Sequence, residues 1–148
     1  MSKPIYMDGC ALSRPFDDQS YPRIRLETEA VNLILLKIRE EKLKLLFSPV
    51  HLIELEGISD SFERIELQSI LKELGTPIMG DMSKIRSRAE ELFLLGFGVA
   101  DAVHVAFAEW SRADFISCDN KLLKKCQGLT IKVWCGNPVT FCEKEGLR

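Results

Sequence analysis

The chain has 148 residues, of which 46% are hydrophobic and 28% are charged, so it is long enough for one sizeable core and too short for two ordinary domains. Its net charge of −2 provides no whole-molecule attraction to phosphate, which argues against a simple nucleic-acid-binding module. A metal-dependent enzyme acting on nucleic acid stays open, because such a site is itself acidic and the metal supplies the positive charge.

The lack of a secretory signal or membrane span and the pattern of cysteines predict a location inside the cell. The apolar stretch at residues 5–7 is too short for a secretory signal, and no run approaches the roughly 18 apolar residues of a membrane span. The five cysteines form no Cys-x-x-Cys pair and have no histidine at zinc-ligand spacing. We therefore expect a cytoplasmic protein that does not enter a membrane.

The first half of the chain alternates strands with helices. The expected elements are a strand over 3–7, a polar loop over 13–22, a helix over 23–42, a strand over 43–47 and a helix beginning at 48–49. Leu33 and Leu36 lie outside the main apolar stripe of the long helix. This position indicates a second packed layer or a subunit contact.

The second half continues the alternation. The expected elements are a helix over 61–74, an edge strand over 75–79, helices over 83–95 and 99–110, a strand over 114–118, a helix over 121–125 and a last strand over 131–134. The helix over 99–110 is rich in alanine, which lets another backbone pack closely, so it should be central. Together the elements predict one α/β domain over residues 1–148 with a mostly parallel sheet, whose sites lie at the carboxyl ends of the strands.

Four acidic residues are expected at that carboxyl edge. Asp8 and Asp119 each follow an apolar strand-like run, Asp101 lies in the first turn of its helix, and Glu54 lies on the helix after the second strand. At an effective dielectric constant near 20, two unit charges about 4 Å apart cost about 4 kcal/mol, so the cluster needs a cation. Carboxylate ligands without a histidine or thiolate set favour Mg²⁺ or Mn²⁺.

Each acidic residue also has a structural interpretation. Asp119 after a strand is typical of a helix cap, and Asp101 in a first helical turn gains from the helix dipole. Glu54 competes with Glu56 for the inward-facing position. His104 follows Asp101 by one helical turn, and either a general base or a packed histidine fits that position.

Five segments, in this order and spacing, resemble the motifs of PIN domains over nearly the whole chain. They are IYMDGC at 5–10, SPVHLIE at 48–54, GVADAVHVAFA at 98–108, FISCD at 115–119 and NPVTF at 137–141. The resemblance implies a three-layer α/β/α PIN-like fold and a metal-dependent nuclease that cuts RNA. Short bacterial and archaeal members often serve as VapC-type toxins, which implies an antitoxin protein as partner and a homodimer.

The resemblance also assigns roles to particular residues. It makes Asp8, Glu54, Asp101 and Asp119 the metal-binding, catalytic carboxylates, and Ser117 matches the small hydroxyl residue that precedes the last aspartate.

The chain departs from the family pattern at two places. Cys10 stands where many members have asparagine, and Asn120 and Lys121 stand where many have a further acidic residue. These departures bear on a second metal site, for which Asp17 and Asp18 in the following loop are candidate substitutes.

Two competing functions remain open at this point. Phosphoaspartyl phosphatases and receiver domains also begin with a strand that ends in aspartate, but the phosphatases need a further aspartate where this chain has Cys10. A PIN-like domain without activity, serving as an RNA-binding or assembly module, is the other alternative.

Overall fold

A five-stranded, all-parallel sheet forms the centre of the molecule, in a computed structural model that describes residues 2–128 and 131–148. The strands are β1 (Lys3–Met7), β2 (Leu43–Phe47), β3 (Gly75–Pro77), β4 (Asp114–Ile116) and β5 (Cys135–Gly136). Their spatial order is β3-β2-β1-β4-β5, with β1 between β2 and β4. Parallel neighbours require crossover connections, which the helices between the strands provide.

Eight helices accompany the sheet within the described residues. They are α1 (Gly9–Leu12), α2 (Pro22–Arg39), α3 (Pro49–Glu56), α4 (Ser61–Leu74), α5 (Met82–Leu94), α6 (Val99–Ser111), α7 (Asn120–Gly128) and α8 (Pro138–Glu145). Prolines at the first helical positions of α2, α3 and α8 favour helix initiation there, because the missing amide hydrogen would be unpaired in any case.

Helices cover both faces of the sheet. Successive side chains of a strand point to opposite faces, so Ile5 and Met7 of β1 enter one hydrophobic core while Tyr6 enters the other. The first core is closed by α2, α4 and α8, and the second by α5, α6 and α7. The prediction of a three-layer α/β/α, PIN-like fold with a parallel sheet is thereby confirmed.

The alanine-rich helix α6 is central, as predicted. Ala102, Ala106 and Ala108 are buried, and α5 packs along it. A charged pair ties the two helices together, because Arg88 donates from Nε to Glu109 Oε1 at 2.6 Å and from Nη2 to Glu109 Oε2 at 3.1 Å. This pair lies near the C-terminal end of α6 and fixes that end against α5.

The prediction of a last strand over 131–134 is wrong in its position. Hydrogen bonding to β4 begins only at Trp134, whose carbonyl accepts from the Phe115 amide at 2.8 Å, and the paired residues are Cys135 and Gly136. Ile131 and Val133 do pack against the second core, so the apolar alternation was real. It reflects burial beside the sheet and not strand pairing.

The segment after β1 contains more helix than predicted. Asp8 caps α1, and a single 3₁₀ turn, Arg14–Phe16, follows within the predicted loop over 13–22. The Arg14 guanidinium donates to Glu27 Oε1 of α2 from Nε at 2.8 Å and from Nη2 at 2.7 Å. This largely buried ion pair fixes the segment against α2.

The additional apolar residues of α2 have two different environments. Leu33 and Val139 of α8 both pack against the first core, and α8 contacts α2, so α8 is the second layer that the sequence indicated. Leu36 is 45% exposed. The long helix ends at Arg39, because Glu41 adopts a left-handed conformation with φ of 62°. None of the described helices is sufficiently long and apolar to span a bilayer.

Candidate active site

The pairing of β1 with β4 assembles the carboxyl edge of the sheet. Met7 pairs with Ile116, and the Asp8 amide donates to the Ile116 carbonyl at 3.1 Å. One residue further on, Asp8 therefore lies beside Ser117. This register places the end of the first motif against the start of the fourth.

Asp8 is the most enclosed of the four predicted carboxylates, with 4% of the residue exposed. Its Oδ1 accepts from the Ala11 amide at 3.0 Å, which makes it the N-cap of α1. Burial raises the pKa of the Asp8 carboxyl, although hydrogen bonds from Ser117, Cys10 and Ala11 each lower it. The carboxylate is thus held in a fixed orientation by several donors.

Cys10 contributes one of these donors. Its Sγ donates to Asp8 Oδ1 at 3.1 Å and lies 3.4 Å from Ser117 Oγ. Burial and the neighbouring Asp8 charge raise the pKa of the Cys10 thiol to about 12, so the group keeps its hydrogen at neutral pH. Cys10 therefore acts as a hydrogen-bond donor to Asp8 at the position where many PIN domains have asparagine.

Glu54 and not Glu56 points toward the site. Glu54 Oε1 lies 2.6 Å from His104 Nε2, and a Cβ added at Gly9 would meet the same oxygen at 3.2 Å. Glu56 is the last residue of α3 and is exposed. Burial raises the pKa of Glu54, but the hydrogen bond and electrostatic attraction of His104 outweigh it, so the pKa lies below the usual value.

Asp101 lies within electrostatic reach of two other predicted carboxylates. Burial raises its pKa, and the charges of Asp119 and Glu54 raise it further, whereas His104 and Lys125 lower it. The first turn of α6 thus faces both the end of β4 and helix α3. Asp119 and Glu54, two of the other three carboxylates that the sequence placed at this edge, therefore act on the charge of Asp101.

Asp119 also caps a helix, which is the structural role that its position after a strand suggested. Its Oδ1 accepts from the amides of Lys121 at 3.0 Å and Leu122 at 3.2 Å, as expected of a cap at the start of α7. The buried hydroxyl of Ser117 accepts from the Asp119 amide at 3.0 Å. Ser117 therefore joins the first and fourth motifs through Asp8 and Asp119.

The donor chemistry of the site suits a hard cation. All four predicted side chains offer carboxylate oxygens, the ligands that Mg²⁺ and Mn²⁺ prefer. Across residues 2–128 and 131–148, no group of three or more His, Cys, Asp or Glu side chains is arranged to hold an ion. Binding of a metal would therefore require some of these carboxylates to change orientation.

The residues at and near the positions where the chain departs from the PIN-domain pattern are engaged in contacts within the protein. Asp17 Oδ2 binds Arg14 at 3.0 Å, and Asp18 Oδ1 accepts from the Ser20 amide at 2.9 Å, so both carboxylates serve the loop that contains them. Arg23 Nη2 donates to Asn120 Oδ1 at 3.1 Å and to the Cys118 carbonyl at 2.8 Å. The position after Asp119 therefore carries an arginine-bound amide.

A buried polar chain beneath the site was not expected from the sequence. It links Ser48, Tyr6 and His104 to Glu54, and His51 lies beside it. The spacing of His104 from Asp101 placed that histidine on the correct helical face. Tyr6 and Ser48 looked like ordinary strand and helix-start residues, because pairing between distant elements leaves no local signal.

Comparison with known proteins identifies the fold. No family model matches the sequence, and no curated protein matches it. The structure is similar to PAE2754 from Pyrobaculum aerophilum at 17% identity and a TM-score of 0.58, over 99% of this chain and 98% of that chain. It is also similar to FitAcB from Neisseria gonorrhoeae at 18% identity and a TM-score of 0.53, over 90% and 97%.

A third similar structure is FitAB bound to an IR36 DNA fragment, at 18% identity and a TM-score of 0.53, over 91% of this chain and 95% of that chain. At such low sequence identity the similarity shows only that the folds are alike. It agrees with the three-layer α/β/α, PIN-like architecture of the present structure.

The raised pKa of Asp101 predicts how its neutralisation affects stability. Asp101→Asn removes a charge that the folded state disfavours, so without metal at pH 7.5 the variant should melt no lower than wild type. The difference in melting temperature between Asp101→Asn and wild type should narrow as the pH falls through the raised pKa of Asp101. Wild-type Asp101 then takes up a proton and loses the unfavourable charge. Thermal melts in a chelating buffer measure this.

Asp18→Asn is the control for that experiment. Asp18 is exposed, and its backbone hydrogen bond from Ser20 lowers its pKa, so removing the charge should not raise the melting temperature. If Asp101→Asn melted well below wild type, the favourable interaction with the helix dipole would be the dominant role of Asp101.

Proposed function

We propose that the chain is a metal-dependent endoribonuclease of the PIN type. The observation that carries the proposal is the position of Asp8 at the carboxyl edge of the sheet together with that of Asp101, whose pKa is raised by burial and further by the charges of Asp119 and Glu54. A fold that keeps such repelling carboxylates at the carboxyl edge of a parallel sheet favours a cationic ligand there. The motif resemblance and the PIN-like fold support the same function.

Four residues would hold the metal in this proposal. Asp8 and Asp101 are assigned as direct ligands, and Glu54 and Asp119 as ligands that act directly or through water. A bound Mg²⁺ or Mn²⁺ supplies an activated water and stabilises the leaving oxygen. Ser117 supports the set because its hydroxyl contacts the Asp119 amide and hydrogen-bonds to Asp8.

Cationic side chains at the same edge support an RNA substrate. Lys125 Nζ donates to the Gly96 carbonyl at 2.8 Å, and its charge acts on Asp101. Arg23 lies against the Cys118 carbonyl and Asn120. Contacts from such residues to phosphates would orient the backbone of the RNA without reading its bases.

A toxin-antitoxin role is the more specific form of the proposal. It rests on the resemblance to VapC-type toxins and is compatible with the similarity to FitAB, which has been seen bound to DNA. Under this proposal the chain acts in the cytoplasm and is inhibited by a small antitoxin protein. A short reading frame beside the gene, whose product co-purifies with this chain, would support the pairing.

An inactive PIN-like module is the second candidate. It is favoured by the capping role of Asp119 and by the arginine-bound Asn120, since both reduce the acidic ligands available for a second metal. Such a protein would bind or organise RNA without cutting it. Metal-dependent cleavage of RNA separates the two candidates.

The first functional prediction concerns RNA cleavage. Wild type should cut structured RNA when Mn²⁺ or Mg²⁺ is present and stop when the metal is chelated. Asp8→Asn should lower the cleavage rate by at least about 100-fold. Removing a residue that only contacts a metal ligand usually costs about 10- to 100-fold, and loss of a direct ligand should cost at least the upper end of that range. Cleavage is followed on labelled RNA by gel electrophoresis.

Asp60→Asn is the matched control, because Asp60 caps α4 as Asp8 caps α1 and asparagine preserves a cap. This variant should cleave at the wild-type rate. Equal rates for wild type and Asp8→Asn would contradict the nuclease assignment and favour the inactive module.

A homodimer is also part of the proposal, and we place its interface on α5 and α6. A groove of about 800 Å³ between these helices is lined mainly by apolar side chains, including Met82, Phe93 and Val99. Arg86 and Glu90 lie one turn apart at this groove. A two-fold axis near the middle of α5 would place Arg86 of each copy opposite Glu90 of the other.

The position of this interface predicts the effect of two substitutions. Leu94 borders the groove and is 83% exposed, so Leu94→Glu should produce a monomer by light scattering coupled to gel filtration. Leu36→Glu, on the exposed side of α2, should leave the dimer intact. If Leu94→Glu stayed dimeric and Leu36→Glu became monomeric, the interface would lie on α2, where the sequence pattern first indicated a contact.

A further inference from the structure

A chain of hydrogen bonds runs from the helix start of α3 to the Glu54 carboxylate. The Ser48 hydroxyl lies 2.8 Å from the Tyr6 hydroxyl, Tyr6 contacts His104 Nδ1, and His104 Nε2 lies 2.6 Å from Glu54 Oε1. Ser48, Tyr6 and His104 are each at most 1% exposed. The chain therefore passes through the core beneath the candidate active site.

The chemistry of the groups fixes the direction of the hydrogen bond to Glu54. An ionised carboxylate only accepts hydrogen bonds, so His104 Nε2 must carry the hydrogen and donate to Glu54. In a neutral His104 ring, Nδ1 accepts from the Tyr6 hydroxyl, which in turn accepts from Ser48; in a charged ring both nitrogens donate, and the bond to Glu54 is the same. Burial raises the pKa of the Tyr6 phenol, so this hydroxyl keeps the hydrogen that it donates.

His51 stabilises the other end of the chain. Its Nδ1 accepts from the Ser48 amide at 3.1 Å, so its Nε2 carries a hydrogen and donates to the Met7 carbonyl at 2.6 Å. Burial lowers the pKa of His51 to about 4, which keeps the ring neutral. Ser48 is thereby joined to the residue that precedes Asp8.

We propose that His104 is a positioning residue for Glu54, oriented by Tyr6 and Ser48 so that its Nε2–H holds one carboxylate oxygen and leaves the other for the metal. This inference rests on the proposed metal-dependent function. Glu54 lies on the exposed side of its helix, where a free glutamate side chain would sample several rotamers. The hydrogen bond from a buried ring restricts it to one.

The same contact joins the separate motifs. Tyr6 comes from β1, Ser48 and Glu54 from the α3 segment, and His104 from α6, one turn after Asp101. Partners of metal ligands commonly fix the orientation of those ligands in this way. His104 therefore couples the position of Glu54 to the elements that carry Asp8 and Asp101.

Two substitutions of His104 separate positioning from packing. Glutamine places its amide nitrogen near the position of Nε2, so His104→Gln retains a donor to Glu54. Asparagine places its oxygen near Nδ1, so His104→Asn retains the acceptor for Tyr6 and loses the donor. By calorimetric titration, His104→Asn should bind Mn²⁺ about 10- to 100-fold more weakly than wild type, and His104→Gln should bind more tightly than His104→Asn.

A double substitution tests whether His104 acts through Glu54. Adding His104→Asn to Glu54→Gln should cause no further loss of Mn²⁺ affinity, because the carboxylate that His104 positions is already gone. Equal losses for His104→Asn and His104→Gln, or additive losses in the double variant, would overturn the positioning role.

A measurement on the metal-free wild type does not depend on how the variants fold. Nitrogen-15 NMR of the histidine side chains should show a hydrogen on Nε2 of His104 at pH 7.5, and a bare Nε2 would overturn the proposal. If Mn²⁺ binding follows the predicted order while RNA stays intact, only the nuclease function fails. If wild type binds no Mn²⁺, both proposals fail.

Discussion

The parallel pairing of β1 with β4 is the constraint on which the candidate site depends. The bond from the Asp8 amide to the Ile116 carbonyl places Asp8 beside Ser117 at the carboxyl edge of the sheet. Because side chains of a strand alternate between faces, a shift of one residue would turn Tyr6 into the opposite core and away from His104. The register thus determines both the carboxylate edge and the polar chain beneath it.

Hydrogen-bond donors offset part of the repulsion that this edge creates. Asp8 accepts from the Ala11 amide and the Cys10 thiol, Asp119 accepts from amides of α7, and Glu54 is paired with His104. The charges of neighbouring carboxylates still act on Asp101, whose pKa is raised. A folded state that retains such unfavourable charge at one edge is typical of functional sites, where stability is commonly exchanged for activity.

Local patterns predicted the helices, the parallel sheet and the edge on which the acidic residues lie, because periodicity and strand ends are local properties. The position of β5 was missed, since burial of Ile131 and Val133 produces the same alternation as strand pairing. The choice between Glu54 and Glu56 needed the contact with His104, and the capping role of Asp119 needed the start of α7. Tyr6 and Ser48 could not be assigned, because their partners are distant in the chain.

The proposed binding of a divalent cation by the carboxylates at this edge can be observed directly. Crystals soaked in Mn²⁺ and measured near its absorption edge would locate the ion directly from its anomalous scattering. We expect an anomalous peak in contact with the carboxylates of Asp8 and Asp101, with Glu54 and Asp119 in direct or water-mediated contact. Saturating Mn²⁺ with no peak at this edge, or a peak held only by residues elsewhere on the surface, would contradict it.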